Sequence, residues 1–73
     1  MHFTVIFEHG PTSVGAYVPD LPGCVAIGAT EEEARQLITE AIQLHLEGLR
    51  EDGLPLPTPV SSCAVISVPV EAA

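Results

Sequence analysis

Residues 18–30 read VPDLPGCVAIGAT, from Val18 to Thr30, and this stretch decides the fold. A strand ends at Val18, and Pro19-Asp20-Leu21-Pro22-Gly23 supplies a tight, stiff connection. The two prolines fix φ and remove two backbone donors, while Gly23 can take the positive φ that side chains resist. Cys24 to Ala29 reads as the next strand, and Thr30 is placed to start a helix. Clusters of Pro and Gly mark turns far more often than active sites, so this turn reads as structural before it reads as chemical.

Working outward toward the N-terminus, His2 to Glu8 alternates, with Phe3, Val5 and Phe7 on one face and His2, Thr4 and Glu8 on the other. Ile6 breaks the period, so one face of this strand is mostly buried. His9-Gly10-Pro11-Thr12-Ser13 is turn chemistry. Val14 to Val18 alternates again and puts Val14, Ala16 and Val18 together, and in the third strand Val25 and Ile27 share a face. Short connections between three such strands favour an antiparallel meander.

On the C-terminal side, Thr30 can cap the free N–H groups of a helix, and Glu33 three residues later can complete a capping box. Glu31, Glu32 and Glu33 suit the positive end of the helix dipole. Ala34, Leu37, Ile38, Ala41, Ile42, His45 and Leu49 recur at the spacing of one buried stripe, and Leu44 and Leu46 widen it toward a second contact. Gly53 is placed to end the helix in a left-handed conformation, with Pro55 just beyond. Glu31 to Asp52 then makes roughly 30 Å of helix. LPLPTP, residues 54–59, runs extended, and Ser62 to Val70 returns to strand pattern. Strands one and three point the same way and the helix carries the chain back, so a fourth strand runs parallel to the first, by a right-handed crossover. The expected fold is α+β in β-β-β-α-β order: an antiparallel meander, a fourth parallel strand, and one long helix on one face. Residues 1–73 read as a single domain with no internal repeat.

The chain has 73 residues, 47% of them hydrophobic and 16% charged, too apolar for a disordered segment. With two Phe, one Tyr and no Trp the core is aliphatic, and so small a chain is expected to hide more surface in a homo-oligomer, a dimer first. Ten acids face only Arg35 and Arg50, for a net charge of −8. Such a charge repels phosphate backbones, which argues against direct nucleic-acid binding and for a basic partner. The N-terminus goes straight into strand pattern with no signal peptide, and no apolar run approaches the ~18 residues of a membrane span. A cytoplasmic protein with free thiols at Cys24 and Cys63 is expected.

Chemistry-bearing patterns are sparse. His2, His9 and His45 are dispersed, with no metal-ligand spacing, so no metal and no cofactor are expected. Cys24 has no histidine near it in sequence to serve as base, and reads as a small buried hydrophobe. Glu8 and Asp20 lie at strand ends, where carboxylates can pair for metal-dependent hydrolysis, yet no further acids join them on neighbouring strands. No Gly-rich phosphate loop is present. On motifs alone no catalytic residue is assigned and the chain is not an enzyme.

Three landmarks carry a resemblance: residues 17–24 (YVPDLPGC), Gly28-Ala29-Thr30 with Glu33-Ala34, and residues 51–57 (EDGLPLP). In this order they resemble the N-terminal domain of HicB-type antitoxins, and the first strand fits as well. The resemblance implies a partial ribonuclease H-like fold of β-β-β-α-β order. It also implies binding and neutralisation of HicA, a small basic RNA-cleaving toxin. Pro19, Asp20, Leu21, Pro22 and Gly23 match as structural landmarks, and the family motif assigns no catalytic residue here. Typical members continue into a DNA-binding domain, whereas this chain stops at Glu71-Ala72-Ala73, so operator binding is not carried over. The leading expectation is therefore a binding module that masks a basic toxin, with Glu8 and Asp20 as partner-binding residues. The alternatives are a stand-alone self-associating domain and a residual metal-dependent nuclease.

Overall fold

The computed structural model describes residues 1–71. Three strands and one helix follow in order: β1 (Ile6–His9), β2 (Val14–Tyr17), β3 (Val25–Gly28) and α1 (Glu31–Glu51). The strands form an antiparallel sheet in the order β1-β2-β3, with Phe7 opposite Ala16 and Ala16 opposite Ala26. Pleating sends alternate residues to opposite faces. Val14, Ala16 and Val18 therefore face α1, while Tyr17, Val25 and Ile27 face away from it.

The strand read from His2 to Glu8 is ladder-paired only from Ile6 onward. The cause is the turn. The register would next set Thr4 opposite Pro19, which has no N–H, and the chain is already turning there, with Leu21 N–H donating to the Val18 carbonyl at 3.1 Å. Phe3 and Val5 still pack on the core without belonging to the ladder.

The core is Val14, Ala16, Val18, Leu21, Cys24, Ala34 and Ile38, flanked by Phe3, Val5, Phe7, Ala26, Ala41, Ile42 and Leu46. Leu21 and Ile38 are each 1% exposed and are its largest fully buried side chains. Leu46 packs on this core, whereas Leu37, placed on the buried stripe by its spacing, lies at the surface, as does Leu44. The stripe follows Ala34, Ile38, Ala41 and Ile42, and Leu37 sits about 100° round the helix from Ile38.

Both helix ends are closed by the chain itself. At the start, Thr30 has extended backbone and its Oγ1 accepts from the Glu33 N–H at 3.1 Å. The Glu33 carboxylate reaches back to the Ala29 N–H at 3.2 Å, one residue beyond the donor of a capping box. At the other end Asp52 is the cap and Gly53 has φ +69°. Gly53 N–H donates to Arg50 and Leu54 N–H to Leu49, the pair of bonds that satisfies the last carbonyls in a Schellman motif.

The fourth strand expected over 62–70 is not formed among the described residues. A strand needs a ladder of backbone bonds along an edge. Past Leu54 no backbone group of the described residues pairs with another backbone group. The segment is held at its root and extends into solvent, with Ile66 77% and Val70 89% exposed.

Candidate partner interface

Sheet direction puts the candidate residues at two opposite ends of the molecule. The end of β1, the end of β3 and the start of α1 lie together. His9 pairs with Val14, Val14 with Gly28, and His9 Nε2 is 3.0 Å from the Glu31 carboxylate. Glu8, Glu31, Glu32 and Glu33 thus belong to one acidic end, all exposed. Gly28 permits this closeness, because a Cβ there would lie 2.6 Å from the Ala34 backbone nitrogen. Beside this end, the Arg35 guanidinium lies 5.7 Å from the Phe7 ring centroid, within reach of a cation–π contact.

Asp20 is at the other end, in the turn between β2 and β3. The turn is built from Leu21 N–H donating to Val18, Cys24 N–H donating to Leu21, and Gly23 at φ +84°. Pro19, Pro22 and Gly23 stay at the surface while Leu21 plugs the core. The Asp20 carboxylate accepts three hydrogen bonds from a segment forty residues away. Val60 N–H and Ser61 N–H donate to Oδ2 at 3.2 and 3.0 Å, and the Ser61 hydroxyl donates to Oδ1 at 2.9 Å. The Thr4 hydroxyl adds a bond to the Ser61 carbonyl at 2.7 Å. Chiefly the Ser61 backbone N–H holds the Asp20 carboxyl below its usual range.

The structure therefore separates Glu8 from Asp20. Glu8 presents its charge to solvent on the outer face, whereas Asp20 is a clasp for the tail. No sequence pattern marks the Asp20–Ser61 pairing, since a lone aspartate in a turn and a serine forty residues on carry no shared spacing.

The remaining polar groups are accounted for by position. Cys24 is buried and burial pushes its thiol pKa up; Cys63 is exposed. Among the described residues no three His, Cys, Asp or Glu side chains converge on one point, and no helix is long and apolar enough to cross a membrane.

A small sheet with one covering helix, an acidic end and a clasped apolar tail defines an acidic α+β module. The chain belongs to the family described as "HicB_like antitoxin of bacterial toxin-antitoxin system", whose sequence model matches residues 3–70. It is similar over its whole length to "Antitoxin HicB 2" of Photorhabdus laumondii, at 32% identity, and covers 53% of that protein. A UPF0150 protein of Helicobacter pylori is 41% identical over 54 residues, covering 74% of this chain and 75% of that one. A UPF0150 protein of Synechocystis is 50% identical over 42 residues, 58% of this chain and 53% of that one. The chain thus spans about half the length of two of these relatives. No solved structure matches it significantly.

Proposed function

We propose that this chain is the toxin-binding module of an antitoxin, and that it neutralises a small basic RNA-cleaving toxin of the HicA type by occlusion, without turnover. The observation that carries the reading is the family match over 3–70, on a chain whose net charge is −8. The module acts in the cytoplasm, where its target RNA-cleaving partner is made. Glu8, with Glu31 and Glu32, supplies the field that draws a basic surface to the acidic end. Asp20 contributes indirectly, through the clasp on Ser61. The burial of Cys24 supports a role without covalent catalysis.

A second reading, a self-associating domain with no toxin, is favoured by the exposed apolar tail. Titration of the chain into an RNA-cleavage assay of a small basic toxin of the HicA type separates the two. Stoichiometric loss of cleavage is expected, with an association rate that falls about tenfold or more from low to physiological salt while dissociation changes little. Glu8→Gln combined with Glu32→Gln should lessen that salt dependence with the fold intact. Absence of binding at micromolar concentration would leave the self-associating reading standing alone.

A further inference from the structure

Ala64 to Val70 has the composition of a strand and no sheet of its own. We propose that this segment of one copy adds as a strand to the free edge of β3 in a second copy, and that the exchange is reciprocal, giving a two-fold dimer. The proposal is independent of the toxin reading.

The edge is defined by the ladder. Val18 N–H bonds to the Cys24 carbonyl, and Ala16 lies opposite Ala26 in the same register. Antiparallel alternation then turns Ala26 toward β2 and sends the N–H and C=O groups of Val25 and Ile27 to the open side. None of the described backbone groups pairs with them there. Native sheets guard such edges with charges, prolines or bulges. Val25–Gly28 has none of these, and its Val25 and Ile27 side chains are 64% and 71% exposed.

The tail matches that edge in three respects. Its Pro69 lacks an N–H, so the side it shares with Val65 and Ser67 must face outward in a sheet, as proline does on edge strands. That leaves the N–H groups of Ala64, Ile66, Val68 and Val70 to make the ladder. Its root is fixed, because Asp20 and Thr4 hold Val60 and Ser61 to the body, so the arm leaves from a defined point. Charge selects the occupant. Residues 54–70 and 21–30 contain no charged side chain, so two copies of net charge −8 meet here through neutral surface. A basic partner would find no acid on either strand. Exchange of identical elements between protomers closes by two-fold symmetry.

The test is the mass of the full chain by light scattering over a concentration series, with three variants. The wild type is expected to reach twice the chain mass. Val68→Pro removes a ladder N–H and should return the mass to that of one chain with helical circular dichroism unchanged. Ser67→Pro removes an outward N–H and should stay dimeric. Ile27→Lys puts a charge beside the edge without touching the β2–β3 ladder, and should also halve the mass. A wild type that stays at one chain mass at millimolar concentration, or gains mass only with a basic protein, overturns the proposal. So does a dimer that Ser67→Pro and Val68→Pro affect equally, or that Ile27→Lys leaves intact.

Discussion

Residues 1–53 and residues 54–71 draw on the same small and branched apolar residues, yet the first region closes a core and the second lies open. Val14, Ala16 and Val18 are buried because three strands and a helix return to cover them. Val65, Ile66, Val68 and Val70 are exposed because nothing among the described residues returns over them. The difference teaches that β propensity describes fit to a pleated, half-buried surface and does not create that surface. The two regions touch through polar atoms, with Asp20 and Thr4 on one side and Val60 and Ser61 on the other. Beyond Ser61, which is itself half-buried, the tail is therefore tethered and not packed.

The largest expected effect sharpens this contrast directly. Leu21→Ala empties a fully buried site and should cost about 2–5 kcal/mol in denaturant unfolding. Ile66→Ala, measured on dilute protein, should fall within about 0.5 kcal/mol of wild type. Comparable losses from both would mean that the tail shares the core.

Gly28→Ala comes next. The added methyl would sit 2.6 Å from the Ala34 backbone nitrogen, so β3 and the start of α1 must part. A loss of about 1–3 kcal/mol is expected, as for other overpacked sites. A smaller loss at Gly28 than Ile66→Ala produces in the tail would break the contrast between a closed body and an open arm.

Much of the body is legible in the sequence for a physical reason: its determinants are local. The alternation of Val14, Ala16 and Val18 and the Thr30 start with acids behind it are patterns within a few residues. So is the Gly53 stop before Pro55. What lies outside local pattern is what long-range contact decides. The first strand is shorter than its alternation because the Val18 turn ends its partner. Leu37 turns out to solvent because it sits about 100° round the helix from the buried Ile38. The fourth strand has every local feature of a strand and no ladder. Of the two carboxylates singled out at strand ends, Glu8 stays in solvent and Asp20 is taken by Ser61, a partner without a sequence signature.

A subtler effect concerns the tether. Because hydrogen bonding holds the Asp20 carboxyl below its usual range, the clasp stabilises the folded state fully above the pKa of an unfolded aspartate. That contribution is lost as pH falls through the lower, folded value. Acidification should therefore shift the Val60 and Ser61 amide resonances before the core unfolds. Asp20→Asn should remove the step while leaving the stability of the body at neutral pH little changed. A step that survives Asp20→Asn would place the tether elsewhere.

Hydrogen exchange on the full chain, followed residue by residue at two protein concentrations, tests the division between body and arm most directly. In dilute solution the Ala16 and Ile38 amides should be strongly protected, and those of Ile66 and Val68 should exchange as in an unstructured chain. At high concentration Ile66 and Val68 should gain protection while Ser67 does not. Protection of Ile66 and Val68 in dilute solution equal to that of Ala16 would contradict the account, because the tail would then be a strand of its own chain.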